Sequence, residues 1–141
     1  MIEDGLLLDT HVWLWWDNGS PGLISTHVRT QIESAEQSAR LWISAMSIWE
    51  VAMLESRGRI EIEPDLLTWL NRLLAGPRRG LAQLTPEIAI ASTRLPDAPV
   101  RDPVDRILLA TARVENLTLV TADRKLLDYG KRRHVRVLSA G

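Results

Sequence analysis

Four acids punctuate this chain where apolar runs give way to helical patterns: Asp9, Glu50, Asp105 and Asp123. Asp9 ends Gly5-Leu6-Leu7-Leu8, and consecutive leucines without polar alternation suit a strand covered on both faces at the centre of a parallel sheet. Glu50 falls in the first turn of the helix after a second strand, Asp105 in the first turn of a late helix, and Asp123 just past the strand 117–121. Ligands of open α/β sheets gather outside the carboxyl ends of the strands. All four carboxylates are expected along that one edge. Close carboxylates repel and raise one another's pKa unless a cation lies between them. Hard oxygen donors without His or Cys suit Mg²⁺ or Mn²⁺, and helix N-termini at the same edge favour ionised acids and an incoming phosphate.

Each acid alone also reads as a helix cap. Ser47 and Glu50 have the spacing of a capping box, Asp102 precedes Pro103 as an N-cap precedes a first-turn proline, and Asp105 stands where a capping-box acid stands. Acidic caps that all meet at one edge favour a shared metal site over separate caps. Arg101, Arg106, Arg124 and Lys125 flank these acids and are candidates for gripping phosphates, or for simple solvated charge. His11, His27 and His134 show no ligand spacing, although His11 adjoins Asp9. Trp13, Trp15 and Trp16 cannot all face one core from one helix, because neighbours are ~100° apart, so at least one is expected near the surface.

The elements that must position the acids follow from periodicity. After Ser20-Pro21-Gly22, read as a turn, Ile24, Val28, Ile32 and Ala35 form the stripe of a surface helix over 24–37. A strand is expected over 40–44 and a helix opened by Ser47 that ends at Arg57-Gly58. Pro64 opens a further amphipathic helix, stopped by Gly76-Pro77. A brief strand over 81–84, a helix from Pro86 to 94, and a loop over 97–101 come next. Asp102-Pro103 opens a helix that Asn116 ends, 117–121 is a strand, 123–130 a short helix and 135–138 a last strand. Strands alternating with helices imply βαβ units and a parallel sheet. Lys131-Arg132-Arg133 is a short basic run, read as a solvated turn.

The chain's 141 residues, 45% of them apolar, suffice for one domain with a two- or three-layer core. Its 17 basic and 18 acidic residues leave a net charge of −1, which excludes the generally basic surface of a non-specific nucleic-acid binder. Any polyanion must therefore meet a local patch. Without cysteine there is no disulfide framework or thiolate metal site. The start Met1-Ile2-Glu3-Asp4 is acidic where a signal peptide is basic, and no run reaches the ~18 apolar residues of a membrane span. A cytoplasmic protein with no membrane contact is the expectation. No GxxxxGK[ST] or GxGxxG loop is present.

Leu7-Leu8-Asp9-Thr10-His11, Ser47-Ile48-Trp49-Glu50, Arg101-Asp102-Pro103-Val104-Asp105-Arg106 and Val120-Thr121-Ala122-Asp123 together resemble the four motif blocks of PIN-domain ribonucleases. Their order and spacing are most similar to the VapC toxins of type II toxin–antitoxin modules, and the resemblance runs from Leu6 to about Leu138. It implies a three-layer α/β/α sandwich on a mainly parallel sheet of four to five strands, with 1–141 a single PIN-like domain. It also implies a quartet of acids, Asp9, Glu50, Asp105 and Asp123, that holds Mg²⁺ or Mn²⁺ and cleaves RNA with a metal-activated water. Thr121 would be a polar neighbour and Asp102 a secondary candidate. An antitoxin and a second subunit in a homodimer are the implied protein partners. Two alternatives stand beside this. One is a catalytically silent PIN-fold binding module. The other is a receiver-like phospho-signalling domain, for which a phosphoacceptor Asp on a middle strand and a Lys ending a late strand are both missing.

Overall fold

The computed structural model describes residues 5–20, 22–75, 79–97 and 100–141. The acidic start 1–4, Pro21 of the expected turn, the expected stop Gly76-Pro77 and the middle of the expected loop 97–101 lie outside the described residues. Among the described residues five strands form one parallel sheet: β1 (Leu6–Leu8), β2 (Leu41–Ser44), β3 (Arg79–Ala82), β4 (Thr118–Thr121) and β5 (Val137–Ser139), in the order β3-β2-β1-β4-β5. The leucine run is the central strand, buried throughout as its unbroken apolar pattern requires. From β1 the chain steps outward to β2 and β3, then returns to β1's other side for β4 and β5. The switch point, and with it the crevice in which such sheets bind ligands, lies at the carboxyl ends of β1 and β4. The receiver-like order 2-1-3-4-5 is not the one present.

Among the described residues seven helices flank the sheet: α1 (Thr10–Asn18), α2 (Thr26–Gln37), α3 (Ala45–Ser56), α4 (Leu66–Leu74), α5 (Pro86–Ser92), α6 (Pro103–Val114) and α7 (Arg124–Gly130). Leu6 and Leu8 point to a core shared with Val12, Trp13, Val28 and Ile32 of α1 and α2 and Leu70 of α4. Leu7 points to the opposite core, with Leu108 and Leu109 of α6 and Leu126 of α7. This alternation along one strand makes three layers. Each fully buried leucine contributes ~1.5–3 kcal/mol. Helix α3 serves both cores, through Val51 on one side and Met46 on the other, and α5 packs on α6.

Three of the boundaries that differ from expectation have identifiable causes. Strand β3 begins two residues earlier than its apolar residues suggest, at Arg79-Gly80. Arg79 is held there by Asp17 and Glu36, both at 2.7 Å, and Gly80 lies under the Trp42 ring, where any Cβ would collide. Helix α4 begins at Leu66, because Asp65, not Pro64, is the cap, accepting from Thr68 N at 2.9 Å. Helix α3 begins at Ala45 and is capped by Ser44, which accepts from Met46 N at 3.0 Å. The Ser47–Glu50 capping box is therefore not formed, and Glu50 lies in the second turn.

Candidate active site

Asp9 leaves β1 at the centre of the sheet. Its backbone N–H still bonds Val120 O at 2.9 Å, while its side chain caps α1 by accepting from Thr10 N at 2.7 Å. The Thr121 hydroxyl at the end of β4 donates to Asp9's other oxygen at 2.6 Å. Thr121 Oγ1 in turn accepts from Asp123 N at 3.0 Å, so the ends of β1 and β4 and the start of α7 are joined through one hydroxyl. Burial raises the pKa of Asp9 against the opposing effect of these bonds and of His11, and Asp123 adds to the rise.

Glu50 reaches the same place from α3. Its Oε1 accepts from Thr10 Oγ1 at 2.6 Å, and the Thr10 hydroxyl also lies 2.9 Å from Ser47 Oγ. A carboxylate only accepts, so Thr10 spends its hydrogen on Glu50 and Ser47 supplies the one between the hydroxyls. Thr10 and Ser47 are fully buried. Burial also raises the Glu50 pKa; the Thr10 bond opposes this, and Asp9 and Asp102 reinforce it.

Asp102 and Asp123 are exposed caps. Asp102 Oδ1 accepts from Val104 N at 2.9 Å and Asp105 N at 3.1 Å, opening α6 at Pro103. Asp123 Oδ1 accepts from Lys125 N at 2.7 Å and Leu126 N at 3.3 Å. Asp105 sits among them, half-buried in the first turn of α6. Its pKa is raised to about 7, by burial first and then by the charges of Asp102, Asp9, Asp123 and Glu50. One carboxyl thus feels every other acid singled out from the sequence. Among the described residues no three of these groups stand close enough to form a ready cage. Three of the acids, Asp9, Asp102 and Asp123, engage backbone N–H groups as caps instead.

A profile of the PIN domain matches residues 6–132. The chain belongs to the PIN-domain family. It is 35% identical over 132 residues to the protein named ribonuclease VapC22 from Mycobacterium tuberculosis (strain ATCC 25618 / H37Rv), a match covering 94% of this chain and 97% of that one. This places it among the VapC-type members. Of the solved structures, DNA-bound VapBC from Salmonella typhimurium superposes with a TM-score of 0.69 at 16% identity, covering 98% of this chain and 99% of that one. VapBC2 from Rickettsia felis, bound to a DNA fragment from its promoter, gives 0.66 at 15%, covering 96% and 98%. At such identities the likeness is one of fold.

In this PIN domain the flanking cations divide. Arg101, Arg124 and Lys125 are exposed, whereas Arg106 is half-buried and spends Nε on Val100 O at 2.6 Å, which ties the approach to α6. His11 is exposed and near enough to Asp9 and Glu50 to favour their ionised forms, with its ring 6.4 Å from that of Trp15. His27 is exposed on α2, and His134 lies away from the acids, paired with Asp97 at 2.6 Å. Trp13 is fully buried and stacks on Trp69 at 5.4 Å, while Trp15 and Trp16 are half-buried. The markedly exposed tryptophan is Trp49, beside Glu50. Thr10 and Ser47, which orient Glu50, were missed as site residues. Their signal is a small hydroxyl near each acid, Thr10 directly after Asp9 and Ser47 between Met46 and Ile48, three residues before Glu50.

Proposed function

We propose that this chain is a divalent-metal-dependent ribonuclease and the toxin of a VapBC-type toxin–antitoxin module, with Asp9, Glu50, Asp105 and Asp123 as its metal-binding acids. The observation that carries the site is Asp105, a single carboxyl under the influence of four others at the switch point of the sheet. The residues fit Mg²⁺ or Mn²⁺: the donors are hard oxygens, and their mutual repulsion is relieved by a cation. Bound there, such an ion supplies an acidified water for in-line attack at phosphorus and positive charge against the phosphate oxygens. The chain's own groups do the positioning. Thr121 and the Thr10 N–H hold both oxygens of Asp9, and Thr10 Oγ1 aims Glu50. The caps engage Oδ1 of Asp102 and Asp123, so Oδ2 of each would serve a cation, with Asp102 in the secondary role. Asp105 would be held ionised beside a bound cation. Helices α1 and α6 begin at this edge and favour the incoming phosphate. Of the flanking cations, Arg101, Arg124 and Lys125 suit phosphate contact, and Arg106 is a structural tie.

Residues 1–141 form a single PIN-like domain in this reading. Among the described residues no helix is long and apolar enough to cross a membrane, and a cytoplasmic location fits an RNA substrate. A cognate antitoxin and a second copy of the chain are the protein partners. Trp49 and Leu67, 53% and 68% exposed, are apolar surface for them. The test is cleavage of purified total RNA by the parent and by Asp9→Asn, with Mg²⁺ or Mn²⁺ and with EDTA. Divalent-dependent cleavage by the parent alone, from variants of equal helicity and melting behaviour, is expected. Equal cleavage by both proteins overturns the assignment.

A further inference from the structure

We infer that the groove between α7 and the edge strand β5, continued past the amino ends of β4 and β5, carries the single-stranded RNA that flanks the cleavage site. This rests on the ribonuclease reading above. Two concavities follow one another down this side of the sheet. The upper one starts at Ala122 and Arg124, beside Asp123, and descends between Gly130 and Lys131 of α7 and Val137 and Ser139 of β5. Its floor is narrow, because Gly130 lies against Val137, where a Cβ would stand 2.7 Å from the valine. The lower one is lined by Arg113, Arg133, His134 and Arg136. From Ser139 to Arg136 is three residues of strand, roughly 10 Å at ~3.3 Å per residue, so both concavities lie within reach of one short RNA segment.

The guanidinium of Arg113 on this path is directed by a neutral group. Arg113 Nη1 donates to His134 O at 2.7 Å. Bonds to neutral carbonyls orient a guanidinium without cancelling its charge, and its planar fork suits phosphate. Among the described residues the acids on the path are Asp128, which pairs with Lys131 at 3.4 Å in an exposed contact, and Asp97, which pairs with His134. An exposed pair of this kind is weak, and a phosphate competes with it. Arg79 of β3, unlike Arg113, is fixed between two carboxylates, Asp17 and Glu36. In a chain of net charge −1, the basic run dismissed as a solvated turn thus continues a track that begins at the acids.

The probes are fluorescein-labelled oligouridylates of ~4 and ~16 nucleotides, the range of single-strand site sizes, titrated by anisotropy in EDTA at several salt concentrations. Lys131→Glu/Arg133→Glu alters two exposed side chains. It should weaken the longer probe ~10-fold and make its log affinity against log salt shallower by ~0.7 per lost contact. The shorter probe should bind as it does to the parent. Lys131→Gln/Arg133→Gln should give a smaller loss. Arg57→Glu/Arg59→Glu, an equal charge change at the end of α3, should leave the salt slope alone. An unchanged slope in the first variant, an equal loss in the Arg57/Arg59 control, or binding of polyglutamate in place of the longer probe overturns the track. The ribonuclease reading fails separately, through absence of divalent-dependent cleavage by the parent.

Discussion

Asp105→Asn should stabilise the fold in chelator while removing most of the cleavage. In the folded chain the carboxyl titrates near 7, against an ordinary 3.8. At ~1.36 kcal/mol per pH unit that gap bounds the cost of ionising it in place at roughly 4 kcal/mol. Asp105 is only half-buried, so solvent screening reduces the cost to about 1–2 kcal/mol. A carboxyl whose pKa is raised by folding carries no penalty below the unfolded value. The penalty grows as pH rises through the interval and is complete above the folded value. Asp105→Asn should therefore match the parent in EDTA near pH 4 and exceed it by about 1–2 kcal/mol near pH 8. Saturating Mn²⁺ should reverse the order at pH 8, because binding to the native state alone adds ~2.7 kcal/mol at a hundredfold excess over Kd, and the variant has lost a ligand. Urea melts at both pH values, with and without Mn²⁺, beside initial rates of RNA cleavage, provide the measurement. A stability difference that does not change with pH, or a variant less stable than the parent at pH 8 in EDTA, refutes the argument that repulsion at Asp105 is relieved by a cation.

Asp102→Ala removes a cap that accepts two backbone N–H bonds, so it should cost ~0.5–2 kcal/mol in urea melts while retaining much of the cleavage rate; an inactive, fully stable variant would move Asp102 into the principal acid set. Thr10→Val keeps shape but leaves Glu50 without its buried donor, and should lower thermal stability by ~1–3 kcal/mol and slow cleavage; parent-like rates would show that Glu50 needs no positioning. Gly80→Ala drives a methyl into the Trp42 ring, so a loss of ~1–3 kcal/mol with altered tryptophan fluorescence is expected, and an unchanged melt would place that ring elsewhere.

Local chemistry was legible in the sequence because its causes lie within a few residues. The unbroken leucines require a strand covered on both faces, and Asp102 before Pro103 sets the start of α6 by capping alone. The alternation of strands and helices likewise implied a parallel sheet with Asp9 and Asp123 at one edge. Where sequence spacing misled, a distant partner had decided the matter. Ser47 and Glu50 have the spacing of a capping box, yet Ser44 caps α3, and both side chains turn instead to Thr10, 37 and 40 residues earlier. Arg79-Gly80 reads as a poor strand, and only the carboxylates of α1 and α2 and the ring of Trp42 make it one. Repulsion at Asp105 is also a tertiary property, since its strength depends on burial and on charges brought from β1, α3 and the start of α7. A residue type and its neighbours determine which cap or strand can form locally. Whether a carboxyl, a guanidinium or an indole is paired, desolvated or exposed depends on what the fold sets against it.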